Sequence, residues 1–167
     1  MNQNEKAELF RRRFYGRQDV FGKSRHIKKD DGTSFKQYYP VCAKIWTDKC
    51  NLKLKNGKFC ANCEIKEYTP VSNESVLLHI SGQEEHIFYC LHDDGTINFG
   101  ACDFDMKAGK EKFGYTFEDV KKVTKVFKEW NIPYGIARST GAGFHVYVFF
   151  DVPMNAARFR SRMYAVF

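Results

Sequence analysis

The sequence predicts an α/β (α+β) protein, and three observations carry that reading. Ile97 to Asp105 is an apolar run that reads as a strand ending in two acids. Phe117, Val120, Val123, Phe127 and Trp130 then recur at helical spacing, with Lys121, Lys122, Lys125 and Lys128 on the opposite face. Strand-like stretches follow at 134–139 and from His145 to Phe150, so strand, helix and strand alternate along the second half. A small cysteine-rich segment precedes this core.

Length and composition bound the alternatives. The 167 residues suffice for one domain with a core, or for a domain with a small appendage. A hydrophobic share of 43% and an aromatic share of 16% suit a globular chain rather than a disordered one. No apolar run is long enough to span a membrane. The polar start Met1-Asn-Gln-Asn-Glu-Lys6 has no signal-peptide core, so the expectation is a soluble, cytoplasmic protein with no membrane partner. The net charge of +7 is unevenly placed: residues 1–70 hold 16 Lys/Arg against 8 Asp/Glu, and the remainder 11 against 12. A basic lobe of this kind points to a polyanion, with a merely solvated basic surface as the plainer alternative. The expected division is therefore 1–70, a basic segment with the cysteine ribbon, and 71–167, the core.

Residues 5–15 look helical, with Ala7, Leu9, Phe10 and Phe14 on one side and Arg11, Arg12 and Arg13 around them. Gly16 to Gly22 reads as a compact turn, and 23–36 as a basic, mobile or nucleic-acid-facing loop with a tight turn at Asp31-Gly32. Cys42, Cys50, Cys60 and Cys63 follow, and Cys60-Ala-Asn-Cys63 has the form of a knuckle that aims two thiolates at one point. With no export signal, metal ligation is a better first reading of the four than disulfides. The lysine-alternating stretch between them, turning at Asn56-Gly57, reads as a hairpin too small to bury a core without metal. The expectation is one structural Zn2+ held by Cys42, Cys50, Cys60 and Cys63, closed to catalysis because all four positions are thiolates.

Pro70 and Ser72 introduce a helix over 73–81, stopped by Gly82. Residues 85–91 read as a strand and Asp93-Asp94-Gly95 as a turn into the strand 97–105. Cys90 and Cys102 are expected as small core residues of these strands, and His79, His86 and His92 show no ligand pattern. Side chains two apart on a strand share a face, so Asp103 and Asp105 emerge together, about 7 Å apart along the backbone. Their repulsion is offset most simply by one or two divalent metals, although a bare Asp-x-Asp also suits a solvated strand end. Met106 to Gly114 reads as a loop, and Thr116 with Asp119 as the capping box of the following helix. Ser139 to Gly143 is a glycine-rich turn able to bring backbone N–H groups to an anion. His145 opens the next strand on the same face as Tyr147 and Phe149. A helical pattern from Met154 to Phe167 has no stop signal, and the expectation is a piece of a longer protein.

Together these pieces resemble the archaeo-eukaryotic primase superfamily. There an apolar strand ends Asp-x-Asp or Asp-x-Glu, and a later strand opens small-x-His. Asp103-Phe-Asp105 and Gly143-Phe-His145 match the two in that order, with a helix between. Within the superfamily the likeness runs to the primase-polymerases of TOTE conflict systems and related CRISPR-associated ones. It is carried by Leu9-Phe-Arg11, by Gly16-Arg-Gln-Asp-Val20 and by the four-cysteine element before the acidic strand. The turn running into His145-Val-Tyr-Val also resembles the polymerase domain of bacterial end-joining ligases.

The resemblance implies a primase core with a partial RRM-like sheet and a DNA or RNA primase-polymerase activity, template-directed transfer from nucleoside triphosphates. Asp103 and Asp105 would hold two Mg2+ or Mn2+, and His145 would contact the triphosphate. Ser139, Thr140 and the backbone of Gly141 to Gly143 would be secondary donors. The basic lobe would hold the template-primer. The superfamily's third motif, an acid on a later strand, has no match, because the only acid after His145 is Asp151. The parent protein is thus expected to be a nucleotidyltransferase whose third acid lies beyond Phe167. A non-catalytic, zinc-containing nucleic-acid-binding module is the alternative.

Overall fold

The computed structural model describes residues 1–50, 60, 63–105, 117–139 and 143–165. They form two compact units, Met1–Tyr89 and Cys90–Phe167. Each has a three-stranded antiparallel sheet and two helices.

In the first unit, α1 (Gln3–Arg13) starts at Asn2, whose side chain accepts from the Glu5 N–H while Glu5 accepts from Asn2. This reciprocal cap satisfies two of the orphan donors of the first turn. Arg11, Arg12 and Arg13 occupy the last turn, where the helix dipole favours cations. A second helix, α2 (Asn73–Ile80), is capped the same way by Ser72 and Ser75. Strands β1 (Phe21–Lys28), β2 (Ser34–Pro40) and β3 (His86–Phe88) run in the order β2-β1-β3. Ala7, Phe21, Val71 and Val76 form the buried core.

The expected basic loop over 23–36 is instead most of a hairpin, with Gly22 to Lys28 registered against Pro40 to Ser34. Its sequence lacks a clean apolar alternation, so pairing rather than periodicity makes these residues strands. The Asp31-Gly32 turn stands where the sequence put it, the Thr33 N–H donating to Asp31 Oδ1 at 2.9 Å. The expected strand over 85–91 is reduced to β3, and Cys90 lies beyond it, exposed rather than in the core.

His86 is buried, its ring nitrogens 2.8 Å from the Ser75 carbonyl oxygen and 2.6 Å from the Glu84 carboxylate. Burial first, then the neighbouring His86, holds the His79 imidazole below its ordinary pKa. A folded-state pKa below the unfolded value of 6.5 means that the unfolded chain binds the proton more readily. Stability from this group is therefore present above pH 6.5 and lost as pH falls through the folded pKa. Urea titrations across that range should show the first unit losing stability on acidification, and His79→Gln should flatten the slope. An unchanged slope in His79→Gln would remove His79 as the cause.

In the second unit, β4 (Thr96–Phe104) and β5 (Tyr134–Arg138) both pair antiparallel with β6 (Phe144–Asn155), giving the order β4-β6-β5. They are therefore parallel to each other, and α3 (Phe117–Glu129) connects them across the central strand, a split βαβ arrangement. Val120, Val123 and Phe127 of α3 pack with Cys102, Phe104, Val146 and Val148 of the sheet, so Cys102 is the small core residue expected. Trp130, expected in the buried stripe, is 62% exposed. It follows the end of α3, and Asn131 at φ 53° turns the chain away. Phe117 is also exposed, at the other end of the stripe, with its ring 5.1 Å from that of Phe144. The expected Thr116 cap and the loop from Met106 lie outside the described residues.

The last helix, α4 (Ala156–Tyr164), is capped by Asn155 and lays Phe159 on β4. A Cβ at Gly100 would stand 2.2 Å from the Phe159 ring, so only glycine admits the ring there. Gly100→Ala should therefore lower stability to urea by about 1–3 kcal/mol, the usual range for overpacking. A change below about 0.5 kcal/mol, the level of a neutral surface substitution, would refute this packing account.

Candidate active site

β4 and β6 bring the two sequence motifs face to face. Asp103 and His145 are direct partners across the ladder, and His145 Nε2 lies 3.4 Å from Asp103 Oδ1. Tyr147, two residues further on the same face of β6, places its hydroxyl 3.2 Å from His145 Nδ1. With Nε2–H directed at the carboxylate, Nδ1 is left to accept from the Tyr147 O–H, which fixes the ring. Burial first, then the Asp103 charge, pushes the Tyr147 phenol above its ordinary pKa, so it remains a donor. The sequence placed Tyr147 on this face without giving it a role; its signal was the i, i+2 spacing from His145.

Asp103 and Asp105 are both exposed, Asp105 immediately past the end of β4. Gly143 packs against the end of β4. The Ser139 N–H donates to the Gly143 carbonyl oxygen at 2.9 Å. A Cβ at Gly143 would stand 2.9 Å from the Phe104 carbonyl oxygen and 3.8 Å from the Asp105 Cα. The missing side chain at Gly143 is thus what lets this position approach the end of β4 so closely. Thr140, Gly141 and Ala142 lie outside the described residues. Asp151 also lies on β6, six residues from His145 and so about 20 Å along the strand. It does not join Asp103 and Asp105.

Gly143→Ala must move either the turn or the end of β4. Displacing a positioned group by about 1 Å can cost on the order of 100-fold in rate. The expected result is a loss of that order in nucleotide incorporation, and full activity would show that the turn does not need this close approach.

Among the described residues, no group of three or more His, Cys, Asp or Glu is arranged to hold a metal ion. The two acids still suit Mg2+, which is commonly held by one or two carboxylates together with substrate phosphates. A groove of about 820 Å³ opens along the outer edge of β4, lined by Phe99, Ala101 and Asp103 of the strand and by Phe159 and Met163 of α4. That volume is within the usual range for small-molecule sites.

In the first unit, Cys42, Cys50, Cys60 and Cys63 line one small cavity with Ile45 and Tyr68. The Glu67 N–H donates to Cys42 Sγ at 3.2 Å, and the Cys63 N–H to the Cys60 carbonyl oxygen at 3.2 Å. Burial first, then the proximity of Cys50, Cys63 and Cys42, pushes the Cys60 thiol above its ordinary pKa. The four thiols are therefore neighbours, although not set out as a metal site. The hairpin expected between them, 51–59, lies outside the described residues.

A family model, that of the TOTE conflict system, Archaeo-Eukaryotic Primase domain, matches residues 5–167. The chain belongs to this primase-like nucleotidyltransferase family, as its sequence motifs implied, and the family acts on nucleic acid and nucleoside triphosphates. No curated protein matches the chain. No helix among the described residues is long and apolar enough to cross a membrane.

Proposed function

We propose that the second unit carries the catalytic site of a primase-polymerase, which joins nucleotides on a nucleic-acid template. The observation that supports this most is the pairing of Asp103 with His145 across β4 and β6, with Gly143 packed against the end of β4. Asp103 and Asp105 hold two Mg2+ or Mn2+ in this reading. Two such ions, held by Asp103 and Asp105, would supply activation of the attacking hydroxyl and stabilisation of the leaving pyrophosphate. The chain's own groups do the positioning. His145 contacts the triphosphate from the strand next to Asp103, its ring oriented by Tyr147. Ser139, Thr140 and the backbone N–H groups of Gly141 to Gly143 add donors of the kind that cradle phosphates. In the first unit, Cys42, Cys50, Cys60 and Cys63 hold one structural Zn2+, and the basic residues meet template phosphates without reading sequence.

The test is dinucleotide and primer synthesis by the full-length protein from nucleoside triphosphates, a single-stranded template and Mg2+ or Mn2+. Product from the wild type and none from the Asp103→Ala/Asp105→Ala double variant supports the reading; normal synthesis by the variant sinks it. The excess of 16 Lys/Arg over 8 Asp/Glu in residues 1–70 favours a second reading, a non-catalytic zinc module that binds nucleic acid. That reading predicts salt-sensitive binding, which survives loss of both acids, in a protein that makes no product.

A further inference from the structure

One face of the β1–β2 hairpin carries a cluster that nucleotidyl transfer leaves unused. Arg25 stands opposite Gln37 in the ladder and donates from Nε to Gln37 Oε1 at 2.8 Å. So held, its guanidinium lies 4.2 Å from the centre of the Trp46 ring, and Tyr39 meets that ring edge-on at 5.8 Å. Phe35 shares the Tyr39 face of β2 and is 43% exposed, with Lys29 Nζ 5.6 Å from its ring centre.

Two features of the cluster are costly unless a ligand uses them. Trp46 adopts φ 64°, a left-handed backbone that a bulky side chain takes only under strain, and yet it keeps 39% of its surface exposed. Arg25 is half-buried, and its partners among the described residues are an amide and two rings, with no carboxylate to balance its charge.

Surface rings beside an uncompensated, oriented cation match the chemistry of unpaired bases and the phosphates that join them. The surrounding charge points the same way, since residues 1–70 hold twice as many Lys/Arg as Asp/Glu. A duplex keeps its bases stacked inside and would use only the cations. An acidic peptide would leave the rings idle. We propose that this face is a stacking site for single-stranded nucleic acid, with Trp46 and Tyr39 taking bases and Arg25 the intervening phosphate. Ring stacking and a phosphate contact do not involve the 2′-position, so the site takes either sugar. The proposal rests on the family's action on nucleic acid and adds where an unpaired strand is held.

The test is direct binding by the whole chain, with no nucleotide or divalent ion present. Trp130→Phe makes Trp46 the only tryptophan, because the chain has two and Trp130 is exposed. Oligo(dT) of about 12 nucleotides should quench Trp46 fluorescence, and oligo(rU) of the same length should bind within about threefold. Heparin, a polyanion without bases, should bind without that quenching. Trp46→Gly suits the left-handed backbone, so it removes the ring without asking the chain to move. It should keep the melting temperature and the heparin affinity while weakening oligo(dT) about 5- to 100-fold. Trp46→Phe should recover most of the loss.

Oligo(dT) affinity within twofold of wild type in Trp46→Gly overturns the proposal, as does an equal loss toward heparin. A preference for either sugar above tenfold also overturns it. Asp103→Ala/Asp105→Ala should leave this binding in place whatever it does to synthesis, so the catalytic reading and the stacking site fail separately.

Discussion

Asp103→Asn and Asp105→Asn should each reduce nucleotide incorporation by at least about 100-fold. Losing only an outer partner of a metal ligand typically costs 10- to 100-fold, and a direct ligand should cost no less. Asparagine keeps the shape and one oxygen of the side chain, so a loss of this size reports the missing negative charge. The Asp103 side chain is 60% exposed, and its substitution should change stability by no more than about 0.5 kcal/mol. Activity lost with an unchanged denaturation curve is therefore the expected pairing. Raised Mn2+ should recover part of it if one carboxylate still holds an ion weakly. Incorporation within threefold of wild type in either variant would show that its acid only solvates the end of β4. Tyr147→Phe removes the hydroxyl that reaches His145 Nδ1 and should cost less, about the factor that one hydrogen bond supplies, roughly 3- to 10-fold.

On the proposed reading, removing Zn2+ from the four cysteines should have the other large effect. Four neighbouring thiols repel one another once ionised, and a cation that binds them as thiolates offsets that repulsion. Structural Zn2+ sites bind with an apparent ~10–16 kcal/mol at neutral pH, and much of that is folding free energy. Elemental analysis should find about one zinc per chain, a single four-thiolate site being filled by one ion. A strong chelator should open the segment from Cys42 to Tyr68 to proteolysis, while α3 and α4 in the second unit stay resistant. Cys60→Ser should reproduce this without chelator. Because each ligand must lose its proton, affinity should fall steeply on acidification. Metal-free protein with unchanged protease resistance would dismiss the zinc.

Some of this was legible in the chain because it is written in local chemistry. The helix at 73–80 announces itself by Ser72 and by a stop at Gly82, and α3 by four apolar residues at helical spacing. The acid pair and the glycine turn before His145 are local motifs of a few residues each, so both could be named before any contact was known. The hairpin at 21–40 was not legible. Its residues mix cations, rings and polar groups on both faces, and it is the antiparallel register that makes them strands. The Cys90 position and the burial of Trp130 were misjudged because both lie just past the end of an element, where periodicity no longer says which way a side chain points.

By itself, then, the sequence named the candidates for chemistry: Asp103, Asp105, His145 and the four cysteines, with the basic excess before them. Tertiary structure decided what stands beside what. Antiparallel pairing sets Asp103 opposite His145, the missing Cβ of Gly143 lets that position reach the end of β4, and the β1–β2 hairpin with the segment after it gathers Arg25, Tyr39 and Trp46. The physical reason is range. Caps, periodicities and short motifs act over a few residues, whereas register and close approach join positions that only the folded chain brings together.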